Sequence, residues 1–149
     1  MDLKESRRAQ RERRLGPNAR CKTCGEADSA ALVTRDLCYG CKTVAAGGSG
    51  FELHHPAGKA NDPFTVRIPA NDHRVLSDWQ VDVPPQTQTN PDGSPLLKAA
   101  AWLRGFLDML RLAMERGLAW IPPYLEHLDQ ALVDSLGPRY WVAFDGVPA

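Results

Sequence analysis

The chain has 149 residues, 43% of them apolar and 24% charged, an ordinary balance for one soluble globular domain or two small ones. Its 18 Lys/Arg and 18 Asp/Glu cancel, so net charge gives no argument for nucleic acid, although residues 1–41 carry nine basic against six acidic side chains. No apolar run approaches the ~18 residues of a membrane span, and the opening Met1-Asp2-Leu3-Lys4-Glu5-Ser6-Arg7-Arg8 lacks the apolar stretch of a secretory signal. The expectation is a cytoplasmic protein, where four cysteines are metal ligands more often than disulfides.

Residues 1–20 hold Arg7, Arg8, Arg11, Arg13, Arg14 and Arg20, with Glu5 and Glu12 between them. These residue types favour a helix over 2–14. No apolar stripe would pack it on a core, so the segment reads as a flexible basic arm, or as an arm laid along phosphates. Next come Cys21-Lys22-Thr23-Cys24 and, after thirteen residues, Cys38-Tyr39-Gly40-Cys41. Two such C-x2-C pairs can supply four thiolates to one tetrahedral Zn²⁺. Ala30-Ala31-Leu32-Val33 is a strand, Thr34-Arg35-Asp36 a turn, and the second pair starts a helical turn, a treble-clef pattern. Gly25 lets the backbone turn tightly, so that amides face the sulfurs. Four cysteines close the metal shell, so this zinc is structural.

Gly47-Gly48-Ser49-Gly50 is a flexible joint. Phe51-Glu52-Leu53-His54-His55 follows as a strand, with Phe51, Leu53 and His55 on one face and Glu52 and His54 on the other. Lys59 to Pro63 is a loop. Phe64 to Pro69 is a second strand, rich in β-branched residues. A helix capped by Asn71 or Asp72 runs from His73 to Gln80, with Val75, Leu76 and Trp79 facing inward. Three of the four histidines, His54, His55 and His73, thus fall within 20 positions. Imidazole is the commonest protein metal ligand and a ready general base near neutral pH.

This strand, loop, strand and helix, with Glu-x-His-His-x-x-Gly at its head and a histidine near the helix start, resembles the ββα-metal fold of the HNH endonuclease family over about residues 50–80. The upstream cysteine pairs resemble zinc knuckles common in that family. The resemblance implies that His54 and His73 hold a divalent metal, Mg²⁺ or Mn²⁺, and that His55 takes a proton from the attacking water. Glu52, Thr65 and Asn61 are the residues that would brace the site. Thr65 or Asn61 would stand in for the family's loop-bracing asparagine, and Asp72 or Asp78 would be further metal ligands. The chain departs from the family where a second C-x2-C often precedes the helix, here Pro69 and Asp72, and where a second helix histidine occurs, here Ser77.

Val81 to Pro95 reads as a linker broken by prolines and glycine. Ser94-Pro95 starts a helix that runs to Arg116, stopped by Gly117. Leu96, Leu97, Ala100, Leu103, Leu107, Leu110 and Met114 form its apolar stripe. A second helix runs from Pro122 to before Gly137, lined by Leu125, Leu128, Leu132 and Leu136, and Tyr140-Trp141-Val142 caps the pair. Trp102, Phe106 and Met109 lie off the stripe, which points to a homodimer or a protein partner on these helices.

The expected fold is therefore a small zinc-stabilised α+β protein. A basic arm at 1–20 precedes a treble-clef or zinc-ribbon-like finger at 21–46, an HNH-like ββα-metal unit at 50–82 and a C-terminal helical hairpin at 94–142. The expected function is metal-dependent hydrolysis of DNA phosphodiester bonds, with Arg7, Arg8, Arg11, Arg13, Arg14 and Lys59 on the DNA. The alternatives are a catalytically reduced zinc-binding DNA-binding or adaptor protein on the same scaffold, and an assembly protein acting through its helical tail.

Overall fold

The computed structural model describes residues 3–118 and 121–143. Its elements in chain order are α1 (Leu3–Leu15), β1 (Leu32–Thr34), β2 (Leu37–Cys38), α2 (Tyr39–Ala45), β3 (Phe51–His54), β4 (Val66–Pro69), α3 (Ala70–Trp79), α4 (Pro85–Thr89), α5 (Pro95–Leu118) and α6 (Ile121–Leu136), with short 3₁₀ turns at Gln80–Asp82 and Tyr140–Ala143. The result is a small mixed α+β fold with two antiparallel two-stranded sheets, β1-β2 and β3-β4. The chain divides into two compact units, Met1–Leu112 and Ala113–Ala149, so the boundary falls inside α5.

The front end is a helix anchored to the fold rather than a loose arm. Arg11 sends both terminal nitrogens to the Asp78 carboxylate on α3, at 2.9 and 2.6 Å. The Lys4 ammonium lies 4.4 Å from the Trp79 ring centroid, and Leu15, the last residue of α1, is buried. Composition alone left out this long-range ion pair, which holds a helix that has no apolar stripe.

The finger forms as the cysteine spacing implies. β1 and β2 pair with Leu32 opposite Cys38, and Cys38 caps α2 by accepting the Cys41 amide at 3.4 Å. Leu15, Cys21, Leu32 and Cys38 make one buried cluster. In the second sheet Glu52 faces Ile68 and His54 faces Val66. α3 packs on both strands. Its inward residues are Val75 and Leu76, which join Ala31 and Leu112 in the second buried cluster, with Trp79 half-buried beside them.

Several boundaries differ from expectation for definable reasons. β4 begins at Val66, because Asp62 Oδ1 accepts the Phe64 amide and holds residues 62–64 in a turn. α3 begins at Ala70 behind Pro69 with no side-chain cap, because Asn71 is engaged elsewhere. The stretch after α3 is not simple linker. It holds the 3₁₀ turn and α4, whose Thr87 is buried. α5 continues through Gly117 to Leu118.

α5 also turns a different face inward. Leu96, Leu103, Leu107, Leu110 and Met114 are exposed, while Ala101, Gly105 and Leu112 are buried. A β-carbon on Gly105 would lie 2.0 Å from the Pro56 carbonyl oxygen, so helix and loop touch backbone to backbone. Small residues permit that approach and long leucines do not. Trp102 against Phe64, at 5.4 Å between centroids, and Lys98 to Asp62, at 2.8 Å, extend the same contact.

In the second unit, α6 buries none of its residues, and Leu125, Leu128 and Leu136 are exposed. Tyr140 donates its hydroxyl to Asp129 at 2.7 Å, tying the closing turn to α6. Among the described residues, no helix is long and apolar enough to cross a membrane.

Candidate functional site

The first centre is the cysteine cluster. The sulfurs of Cys21, Cys24, Cys38 and Cys41 all lie within 4.8 Å of one another. Tetrahedral zinc with Zn–S near 2.3 Å requires sulfurs about 3.8 Å apart, and Cys24 and Cys38 stand at 3.5 Å. Gly25 adopts φ +80, the left-handed conformation that the expected tight turn requires, and donates to the Cys21 carbonyl. Burial opposes ionisation of Cys21, but the backbone amides of Cys24, Cys38 and Thr23 outweigh it and bring the thiol down to about 6. Burial pushes the Cys24 thiol up, and the Cys38 sulfur followed by burial pushes Cys41 up. Four thiols crowded so tightly cannot all ionise alone, and a divalent cation removes that repulsion. The donor set, spacing and closed shell fit a structural zinc.

The second centre is built from the end of β3 and the first turn of α3. The side-chain alternation holds, and the polar face is the one turned inward. Phe51 and Leu53 are exposed, whereas Glu52 is half-buried and His54 is 2% exposed. His54 and His73 meet edge to face, with ring centroids 5.5 Å apart. Burial first, and then the neighbouring His73 and His55, lower the His54 pKa to about 4, so its ring is neutral near pH 7 and has a lone pair to offer.

Glu52 bridges two α3 residues. Its Oε1 takes the Arg74 guanidinium at 2.7 Å, and its Oε2 lies 2.5 Å from His73 Nδ1. That second contact is close enough for an ion pair with a charged ring, but it lies off the line a ring N–H hydrogen bond needs. His55 follows the strand half-buried. Its Nδ1 is buried without a hydrogen bond, and its carbonyl accepts from Gln80.

Asn61 braces the loop, and Thr65 does not share in that brace. The buried Asn61 amide donates to the Ala57 and Thr87 carbonyls at 3.1 and 2.8 Å, and its oxygen accepts from Asn90. Asp78 stands with α1 instead of the histidines, since its two oxygens are taken by Arg11. Of the basic residues expected on DNA, Arg7 and Arg11 face Asp78, Arg8 pairs with Glu12, and Arg13, Arg14 and Lys59 are exposed.

No protein-family model, curated protein or solved structure matches this chain. Among the described residues, the four cysteines are the one set of three or more His, Cys, Asp or Glu side chains whose ligand atoms converge within 4.8 Å. Two residues have a part here that the sequence pattern does not assign to them. Arg74 shares Glu52 with His73, and Asn71 faces the finger. Both lie on α3 within two positions of His73, a spacing at which helical side chains do not face one another, so it did not point to them.

Proposed function

We propose that this chain is a metal-dependent endonuclease of the HNH type that hydrolyses DNA phosphodiester bonds. The observation that carries this reading is the meeting of His54 and His73, 5.5 Å apart, at the end of one strand and the start of the helix packed on it, with His55 next in sequence. His54, buried and neutral, and His73, with Glu52 beside its Nδ1, are the residues that would hold Mg²⁺ or Mn²⁺. A divalent ion there supplies charge to the scissile phosphate and the leaving oxygen. His55 takes the proton of the attacking water, and Asn61 holds the loop that follows it. The zinc-bound finger serves as scaffold.

The test is incubation of the zinc-loaded chain with supercoiled plasmid and Mg²⁺ or Mn²⁺, beside His55→Ala. Nicked or linear product from the wild type, with a loss of about 10²-fold or more in the variant, is expected. Equal and intact plasmid in both across metals overturns the enzyme reading.

The second reading is a zinc-stabilised DNA-binding or adaptor protein on this scaffold. One observation favours it. No third ligand atom joins the two histidines in a converging set among the described residues.

A further inference from the structure

A polar cleft of about 270 Å³ lies between α1, α2 and α3, lined by Arg7, Arg11, Ala30, Tyr39, Arg74, Ser77 and Asp78. Three guanidinium groups face it against one carboxylate, and the arginines are not equally engaged. Arg11 is consumed structurally, with both terminal nitrogens on Asp78. Arg7 approaches Asp78 through Nε at 3.6 Å, and its side chain is 49% exposed. Arg74 Cζ lies over the Tyr39 ring, 4.7 Å from its centroid, and the side chain gives one terminal nitrogen to Glu52. Its Nε is buried with no hydrogen bond.

Counting Glu52 as well as Asp78, the arginines still leave a surplus positive charge. A guanidinium beside an aromatic ring is held in place and keeps donors to spare for a phosphate oxygen.

We infer that this cleft is a phosphate-binding site that grips the backbone of duplex DNA through Arg7 and Arg74, with the Ser77 hydroxyl on its wall. Arg74 and Ser77 lie three apart on α3, one face of the helix that carries His73. Glu52 joins Arg74 to His73 directly. A strand held in the cleft is thereby led along α3 toward the histidine pair. Asp78 has a complementary part. It neutralises Arg11 and fixes α1, so that Arg7 is presented from a rigid helix.

This inference rests on the reading of DNA as partner but not on cleavage, and its test separates the two. Binding of a fluorescent duplex to the zinc-loaded full chain is followed by anisotropy across a salt series, with no Mg²⁺ or Mn²⁺ added. The variants are Arg7→Gln and Arg74→Gln, with Arg35→Gln as an exposed control in the turn between β1 and β2, outside the cleft. Zinc content and helicity are checked for each.

Arg7→Gln and Arg74→Gln are each expected to weaken binding severalfold, irrespective of DNA sequence, and to lower the slope of log K against log salt by about one. Arg35→Gln is expected to change little. If Arg74→Gln does not fold, Arg7→Gln carries the result. Loss in the control equal to that in the cleft variants overturns the site in favour of diffuse charge. Unchanged binding in the cleft variants, or no duplex binding by the wild type, also overturns it. Inorganic phosphate at millimolar concentration that abolishes duplex binding at constant ionic strength marks a site for the free anion and overturns the DNA assignment. A chain that binds through Arg7 and Arg74 yet leaves plasmid intact keeps this inference and ends the nuclease reading.

Discussion

The Asn71 amide nitrogen lies 3.3 Å from the Cys38 sulfur, while its oxygen accepts the Gly40 amide at 2.8 Å. One side chain in the first turn of α3 thus holds both a cysteine of the finger and the backbone that follows it. His73 is two residues further on. Hydrogen bonds to a thiolate favour its charged, metal-binding form, and loss of such outer partners costs roughly 10–100-fold in metal affinity. Asn71→Ala is expected to lower zinc affinity by about 10-fold, measured by competition with a chromophoric chelator. It should also shift the His73 ring resonances with zinc still bound. Unchanged affinity and unchanged resonances would sink the coupling.

Asp78 sits 7% exposed between α3 and α1, with Arg11 on both oxygens. Removing one partner of a buried pair leaves the other charge uncompensated, at roughly 3–5 kcal/mol. Asp78→Ala is expected to cost about 3 kcal/mol in denaturant unfolding and to free the amides of α1 to exchange. Arg11→Met in the same background should recover part of that loss, because it removes the stranded charge. Full retention of α1 protection in Asp78→Ala would show that the helix is held by other contacts.

These two residues mark how far the sequence could be read. The cysteine pairs were legible because ligand chemistry demands particular residue types at particular spacings, and Cys21, Cys24, Cys38 and Cys41 do converge. The strand, strand and helix of residues 51–79 were legible from alternation and β-branching. Alternation separated Glu52 and His54 from Phe51 and Leu53 but could not say which face α3 covers. The inward face proved to be the polar one, held by ions instead of apolar area.

On α5, periodicity favoured the leucine stripe. The buried face is set by Ala101 and Gly105, whose value lies in the side chain they lack. The Asn71 contact and the Arg11–Asp78 pair join residues 33 and 67 positions apart, and no local pattern records them.

Metal removal gives a third expectation. The finger's buried cluster is Leu15, Cys21, Leu32 and Cys38, so half of its members are sulfur ligands. Zinc binding in such sets contributes on the order of 10–16 kcal/mol in peptides at neutral pH, far more than two leucines supply. Chelation should abolish hydrogen-exchange protection across residues 20–45, and one equivalent of Zn²⁺ should restore it. A chain that melts at the same temperature with and without zinc would show that the cluster holds no structural metal.

Two glycines on one helix separate packing from propensity. At Gly105 an added β-carbon meets the Pro56 carbonyl carbon and oxygen at 2.5 and 2.0 Å, and backbone cannot rotate away as a side chain can. At Gly117 an added β-carbon meets nothing within 4 Å. Gly105→Ala should therefore destabilise by about 1–3 kcal/mol, the usual cost of overpacking. It should also move the loop that carries His55, seen as shifted His55 resonances. Gly117→Ala should stabilise α5 by up to about 1 kcal/mol, since alanine is the better helix former. Thermal melting of the two variants side by side decides it, and a Gly105→Ala protein as stable as the wild type would mean that α5 does not approach Pro56 in solution.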